Sequence, residues 1–173
     1  MDLGPDSSAT PPQAIGHRPP VAWLAASALL LALGAAGCLD PEDRRPGLRL
    51  SGDVVTDPVD DWSFTDAHPE IYIEVRTPYL LPHSVTIVCA TLDGQLYVGA
   101  RNPTEKRWVA YVDRDPDVRL EIGERVYERR LAPVDDPERV DAVFRAYAAK
   151  YGWPVPPADA RPPWRVFAVV ARD

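Results

Sequence analysis

The stretch from residue 85 to residue 131 carries the strongest structural pattern in this chain of 173 residues. Residues 85–91 are apolar on both faces that a strand would present, which predicts a central strand. Asp93-Gly94 follows, and an Asp-Gly pair between two β-rich runs predicts a hairpin, because type I′ turns require positive φ. Residues 96–100 then alternate in polarity like a second strand. This part of the chain is therefore constrained to antiparallel β-structure.

A short helix is predicted directly after this hairpin. Asn102 is a candidate N-cap, Pro103 suits the first helical position, and Glu105 falls where a capping box places its acid. We expect the helix to run about three turns and to end near Arg114, before Asp115-Pro116.

Four further strands and a second helix complete the predicted pattern. The strands are expected at residues 71–77, 118–122, 125–132 and 164–171. The helix is expected at about residues 137–151, because an apolar stripe at helical spacing precedes Gly152, a residue suited to ending a helix. The stripe consists of Val140, Val143, Phe144, Tyr147, Ala148 and Tyr151. Six strands, mostly hairpin-linked, with two inserted helices predict a mainly β domain with α insertions, closer to a small antiparallel barrel than to a sandwich.

Residues 1–37 are predicted to be a signal or leader separate from the folded domain. Residues 21–36 form an unbroken apolar stretch, as in a secretory signal. Residues 35–38, Ala-Ala-Gly-Cys, resemble the bacterial lipoprotein signal, which implies that Cys38 is lipidated. An uncleaved anchor is the alternative, because residues 21–39 approach the length of a membrane-spanning helix; simple cleavage or a misassigned start is the third. Both leading interpretations place the chain at the extracytoplasmic face of a cell membrane, lipid-anchored or membrane-anchored.

Residues 38–69 are acidic, proline-broken and weakly patterned, which predicts a linker, and residues 70–173 are assigned to the barrel domain. The net charge of −7 argues against nucleic-acid binding, which requires a basic surface. The two cysteines make no disulfide scaffold, and neither their spacing nor the three histidines indicate a metal site. Cys89 is expected to be a small buried apolar residue.

Cations crowd the joint between the hairpin and the short helix. Arg101 ends the strand, and Lys106 and Arg107 follow in the helix. Positive side chains near a helix start oppose its dipole unless an anion is held there. A phosphate site is one interpretation, since the arginine fork fits phosphate. A solvated helix face, with Glu105 and Asp113 as local partners, is the other.

Three local features resemble the split β-barrel flavin-binding superfamily, which contains pyridoxamine 5′-phosphate oxidase-like proteins and deazaflavin-dependent nitroreductases. A hairpin strand ends in the basic Arg101, a short helix carries Trp108, and an Asp-Pro-x-Val-x-Leu strand follows at residues 115–120. The resemblance covers about residues 70–151, with residues 164–171 as the closing strand. It implies a six-stranded antiparallel split β-barrel with two helices. It also implies a homodimer that binds FMN, F420 or haem between subunits, although some members have lost the cofactor.

The resemblance also assigns roles to individual residues. Arg101, Lys106 and Arg107 would hold the flavin phosphate, and Trp108 and Arg76 would border the ring. Thr77, beside Arg76, would contact the ring or the ribityl chain. The structural alternatives are a core tryptophan and a solvated strand end. Tyr111 stands where the deazaflavin branch commonly has asparagine, and that branch's Gly-Arg-x-Ser-Gly-type strand is missing before Val85, which favours FMN over F420.

Two functional hypotheses follow from the sequence. No nucleophile elbow, Walker loop or Gly-x-Gly-x-x-Gly motif occurs, so an enzyme of this sequence would depend on a cofactor for its chemistry. The first hypothesis is a membrane-tethered FMN-binding protein, acting as an oxidoreductase on a small acceptor such as a quinone or nitro compound. The second is a non-catalytic envelope lipoprotein that keeps the barrel without a cofactor. Haem binding through His83 is a minor third, and His68 is expected to be a surface residue.

Overall fold

The computed structural model describes residues 47–79 and 81–172. Its strands are β1 (Asp53–Val55), β2 (Ile71–Arg76), β3 (Pro82–Ile87), β4 (Cys89–Leu92), β5 (Gln95–Arg101), β6 (Asp117–Ile122), β7 (Arg125–Pro133) and β8 (Trp164–Val170). Its α-helices are α1 (Arg107–Val112) and α2 (Pro137–Tyr151), and short 3-10 helices occur at Ser63–Ala67, Pro103–Glu105 and Ala158–Ala160. The predicted leader, its apolar residues 21–36 and Cys38 lie outside the described residues. Within the described ranges, no helix has the length and apolar character needed to cross a membrane.

One curled sheet holds all eight strands. The order along the sheet is β3-β2-β6-β7-β8-β5-β4, with antiparallel neighbours throughout, and β1 adds to β7 in parallel. β3 and β4 occupy the two ends of this path although only Val88 separates them in sequence. The sheet therefore curls until its two edges approach each other, and no ladder joins them in the described residues. This mainly β architecture with two α-helices agrees with the fold class predicted from the sequence.

The described residues contain eight strands rather than the predicted six, and the first reason is a break at Val88. Residues 85–91 were expected to form one strand, but Ile87 pairs with Ile71 of β2 whereas Cys89 pairs with Val98 of β5. A run that is apolar on both faces does not reveal where it changes partner, because the period-2 signal is absent.

The second additional strand is β1, which lies in the stretch predicted as an acidic linker. It pairs with β7 from Asp53↔Arg125 to Val55↔Tyr127. Three residues are too few to show alternation, and the pairing partner is distant in sequence. Other parts of this stretch are also packed: Leu50 and Trp62 are 1% and 3% exposed.

Two clusters of buried side chains flank the sheet. The larger lies on the concave side and includes Ile73, Leu96, Val98, Leu120 and Phe167, together with Trp108, Val109 and Val112 from α1. The smaller packs between the sheet and α2 and contains Ala90, Tyr97, Val143, Tyr147 and Val166. The predicted stripe of α2 is confirmed, since Val143, Phe144, Tyr147 and Ala148 are all buried.

The bounds of α2 and the hairpin turn also match the predictions. Asp136 caps the helix by accepting from the backbone N–H groups of Glu138 and Arg139, and Gly152 ends it at φ 67°. Asp93 and Gly94 have φ of 54° and 75°, as a type I′ turn requires.

The short helix differs from its prediction. Asn102 makes no side-chain capping bond and adopts the left-handed conformation, φ 51° and ψ 61°. Pro103–Glu105 then forms a 3-10 turn, Lys106 is extended, and only the six residues Arg107–Val112 are α-helical. The cause is the turn that must follow β5, where the Asn102 N–H donates to the Pro163 carbonyl at 2.9 Å. Asparagine adopts the left-handed conformation more readily than most residues. Asn102 therefore forms this turn, and its side chain makes no capping hydrogen bond.

Candidate functional site

A cleft opens between β3 and β5. It lies where the chain changes its pairing partner at Val88, between β3 and β4. β4 pairs with β5 only as far as Cys89↔Val98, and β3 pairs with β2. Residues 85–88 therefore form one wall and residues 99–102 the other, and the space between them measures about 540 Å³. We call it the β3–β5 cleft.

Two tyrosine hydroxyls from α2 bind backbone groups next to the β3–β5 cleft, at and after Val88. Tyr147 is fully buried, and its hydroxyl donates to the carbonyl oxygens of Val88 and Tyr97, each 3.1 Å away. The Tyr151 hydroxyl donates to the Cys89 carbonyl at 2.9 Å and accepts from the Cys89 N–H at 3.2 Å. These phenols satisfy backbone groups that the interrupted ladder leaves open.

Both phenols are neutral at physiological pH. Burial raises the pKa of Tyr147 well above its ordinary value, against the opposing effect of a hydrogen bond to the Gly99 backbone. Burial also raises the pKa of Tyr151 to about 12. The two hydroxyls consequently act as hydrogen-bonding groups of the cleft and bring no charge to it.

The three predicted phosphate-binding cations meet at the β3–β5 cleft. Arg101, Lys106 and Arg107 all line it and are exposed. They arrive from three backbone settings: the end of β5, the extended residue between two helices, and the first residue of α1. The structure therefore brings them together by a change of chain direction, not along one helix face.

These cations have no carboxylate partner among the residues that the structure describes. Within the parts of the chain that the structure describes, none of Arg101, Lys106 and Arg107 forms an ion pair. Asp113, which the solvated-face interpretation paired with them, instead contacts Arg165 at 2.7 Å. Two acids, Glu70 and Glu105, also line the cleft, so its positive charge is reduced but not cancelled.

His83 is a further cleft residue, which sequence reasoning considered only for haem or acid chemistry. Its imidazole is half-buried and meets the Tyr111 ring edge-on at 6.0 Å. Burial lowers its pKa first, and the charge of Arg107 lowers it further. The side chain is therefore a neutral imidazole at neutral pH, placed beside the cationic group.

Trp108 lies in the wall of the cleft but belongs to the core. It is 6% exposed, and its ring centroid is 6.0 Å from that of Phe167. Its position matches the structural alternative given for it above, a core tryptophan. It backs the cleft with apolar surface and presents little of its face.

Arg76 and Thr77 are not brought into the β3–β5 cleft. They line a separate cavity of about 720 Å³ near the tip of the β2–β3 hairpin. Arg76 faces Asp115 at 3.4 Å, and the Thr77 hydroxyl donates to the Leu81 carbonyl at 2.8 Å. The ladder explains the separation, because Arg76 pairs with Pro82 at the opposite end of β3 from Val88.

Sequence reasoning missed Gly99 as well as the tyrosine pair. A Cβ on Gly99 would collide with the indole of Trp164, which packs directly on this residue. The strand can therefore carry only glycine here without displacing that ring. A glycine inside an alternating strand is a signal for close approach, and it was present in the sequence.

No family model matches the chain, and no curated protein matches it. Solved structures do share its fold. A conserved hypothetical protein of Mycobacterium tuberculosis is 18% identical, with a TM-score of 0.55 over 72% of this chain and 86% of the other. A putative 5-nitroimidazole antibiotic resistance protein of Bacteroides thetaiotaomicron is 11% identical, with a TM-score of 0.53 over 75% of this chain and 89% of the other.

A third solved structure, a putative pyridoxamine 5′-phosphate oxidase of Listeria innocua, is 13% identical. The match covers 64% of this chain and 90% of the other, with a TM-score of 0.49. The first two matches show the fold, and the split β-barrel predicted from the sequence is thereby confirmed.

Proposed function

We propose that the β3–β5 cleft binds a phosphorylated flavin-type cofactor, with FMN as the first choice and a deazaflavin such as F420 as the second. The observation that carries this proposal is the convergence of Arg101, Lys106 and Arg107, unpaired in the described residues, on one cleft of a chain with net charge −7. Unpaired cations around a cavity favour a dianionic group, and arginine binds it with a planar fork. The resemblance drawn from the sequence and the split-barrel fold point in the same direction.

The composition of the cleft fits such a group. The three cations line it, while Val85, Ile87 and Ala100 give it apolar walls suited to a ring system. Arg76 and Thr77 are left out of this proposal, because they line another cavity.

A bound flavin would supply hydride or electron transfer, and the chain's own residues would bind and orient it. Arg101 and Arg107 would neutralise the phosphate, with Lys106 as a more flexible third cation. His83, neutral beside them, can accept a proton at its imidazole from a substrate in the cleft. The Bacteroides protein of the same fold is named for nitroimidazole resistance, which supports a nitro compound as the acceptor alongside the quinone suggested from sequence.

The test is flavin binding by the purified protein, measured by absorption and by titration with FMN. We expect Arg101→Ala combined with Arg107→Ala to weaken FMN binding by at least about a hundredfold, since each charge-assisted contact contributes about 1.5–3 kcal/mol. Arg125→Ala, an exposed arginine of β7 outside the cleft, is the matched control and should bind normally. A wild-type protein that stays colourless with FMN, F420 and haem would end the proposal.

A cofactor-free barrel is the second candidate function. Glu70 and Glu105 place negative charge in the same cleft, and Trp108 is too buried to stack on a ring. Under this alternative the protein is a binding or structural component of the envelope, the wild type binds no FMN, and Arg101→Ala with Arg107→Ala has no flavin binding to remove. Haem binding through His83 is distinguished by a Soret band that His83→Ala removes.

We further propose that Cys38 tethers the chain to a membrane, outside the cytoplasm, and that two copies form a homodimer. Both ideas come from the sequence: the apolar residues 21–36 ahead of Cys38, and the resemblance to dimeric split barrels. Incorporation of labelled palmitate into the wild type and its loss in Cys38→Ala would support the tether. Light scattering measures the dimer, and a monomer at every concentration tested would refute it.

A further inference from the structure

Cys89, the first residue of β4, is fully buried next to a lysine of α2. Its Sγ lies 3.5 Å from the Nζ of Lys150, within hydrogen-bonding range for sulfur. The Thr65 side chain acts on the same thiol and lowers its pKa, against the larger effect of burial. A thiol and an amine are therefore held in contact by three separate elements: β4, α2 and the 3-10 helix Ser63–Ala67.

The contact is fixed from both sides. Lys150 Nζ also donates to the Thr65 carbonyl at 2.8 Å and lies 5.4 Å from the centre of the Tyr151 ring. The Tyr151 hydroxyl holds the backbone N–H and C=O of Cys89. Neither reacting atom can move far without breaking these bonds, so the pair is preorganised for a reaction between its two members.

The surroundings disfavour the usual oxidation of a cysteine. Burial raises the pKa of the Cys89 thiol. Lys150 and the Thr65 side chain act in the opposite direction, but the pKa stays above its ordinary value. Cys89 has no exposed surface, so a large oxidant has no access, and a sulfinic or sulfonic group with several oxygens has no room. The site therefore admits a small apolar oxidant and a product that adds a single atom.

We propose that Cys89 and Lys150 are a site of oxidative cross-linking, in which dioxygen joins Sγ to Nζ through one oxygen atom. Lys150 first releases its extra proton to solvent. The S–H bond and one N–H bond then break, S–O and O–N bonds form, and the second oxygen atom leaves with both hydrogens as water. Sulfur and nitrogen are oxidised, and dioxygen is reduced by four electrons. A one-atom bridge suits the observed 3.5 Å separation, because a direct S–N bond requires a much closer approach of the two chains.

The cross-link would join α2 to β4 at the residue after Val88, which lines the β3–β5 cleft. Oxidation would thus stiffen the backbone next to Val88 in the cleft wall, whether or not a cofactor binds there. This inference is independent of the proposed function.

The experiment uses the full chain with Cys38→Ala, so that Cys89 is its only cysteine. After incubation in oxygen-saturated buffer, we expect the intact mass to rise by one oxygen atom less two hydrogens. The thiol should no longer react with iodoacetamide after denaturation, and trypsin should no longer cut after Lys150. Dithiothreitol should restore both, and the oxidised form should melt several degrees higher than the reduced form.

Lys150→Arg is the matched control, because it keeps the positive charge but lacks the primary amine. It should gain no mass and keep a reactive thiol. The proposal is overturned if the thiol of the oxygen-treated parent remains fully reactive after denaturation. It is equally overturned by addition of two or three oxygens to Cys89, by loss of two hydrogens without oxygen, or by the same mass change in Lys150→Arg.

Discussion

Single hydroxyl groups hold the backbone in place where β3 gives way to β4. Tyr147 and Tyr151 stand one helical turn apart on α2, and their phenols reach backbone groups of Val88 and Cys89 on either side of the strand break. The periodicity of α2 predicted that these tyrosines face the sheet, but it did not predict what their hydroxyls do there. That role depends on the break itself, which the local pattern conceals.

Replacing Tyr147 by Phe should lower the free energy of unfolding by about 1–3 kcal/mol, because it leaves buried backbone groups without a partner. The carbonyl oxygens of Val88 and Tyr97 lose their shared donor. Urea denaturation measures the effect. Tyr79→Phe is the control, since Tyr79 is 80% exposed and should change stability very little. Equal stability of both variants would show that the Tyr147 hydroxyl does not stabilise the fold.

His83 should make stability depend on pH in the range just below neutrality. Its pKa is lowered in the folded protein from an ordinary value of 6.5, so the unfolded chain binds the proton more readily. Stability is therefore complete above about pH 6.5 and falls as the pH decreases towards the folded pKa. Urea midpoints measured between about pH 5 and 7.5 should show this slope in the wild type and a shallower one in His83→Gln. An unchanged slope in the variant would assign the effect to other groups.

At the scale of elements, the sequence predicted well where a local signal is sufficient. The apolar stripe and Gly152 located α2, and Asp93-Gly94 located the hairpin. It did less well where long-range pairing decides. β1 depends on β7, and the division at Val88 depends on which neighbour each half finds.

The candidate site shows the same division between local and long-range information. Arg101, Lys106 and Arg107 are close in sequence and do gather at one cleft. Arg76 was grouped with them by resemblance, yet the β2–β3 register carries it to the hairpin tip. The local sequence does not determine at which end of the barrel a given strand will end.

Asn102 makes the turn between β5 and α1 testable. Asn102→Gly should be tolerated within a few tenths of a kcal/mol, whereas Asn102→Val should cost about 1–2 kcal/mol, because a β-branched side chain is strained at positive φ. Thr104→Val is the control, since Thr104 is exposed and its φ is not positive. Thermal unfolding measures all three. If Asn102→Val is as stable as the wild type, the left-handed turn is not required.

At the scale of the whole molecule, a buried ion pair ties the first described residues to the sheet. Arg119 and Glu74 lie 2.7 Å apart with side chains 13% and 12% exposed. The Leu50 N–H donates to Glu74 and its carbonyl accepts from Arg119, at 2.8 and 3.0 Å. This arrangement joins β2, β6 and the segment before β1 at one point.

Breaking this pair should be costly because it deprives the mostly buried Arg119 of its carboxylate at 2.7 Å and leaves it the longer contact with Glu128 at 3.7 Å. Glu74→Gln should lower the free energy of unfolding by about 3 kcal/mol. Asp93→Asn removes one partner of the Arg139–Asp93 pair, whose carboxylate is 72% exposed, and should cost less than about 1 kcal/mol. Urea denaturation of both variants makes the comparison. Similar losses in the two would mean that burial does not strengthen the Glu74 pair.

The reciprocal hydrogen bonds between Gly47 and Ser84, at 2.9 and 3.1 Å, have a mechanical consequence. A pulling force applied to the chain ahead of Gly47 would act on β3 first, through these two hydrogen bonds. β3 forms one wall of the β3–β5 cleft. Such a force would therefore reach the cleft before it reached the other strands.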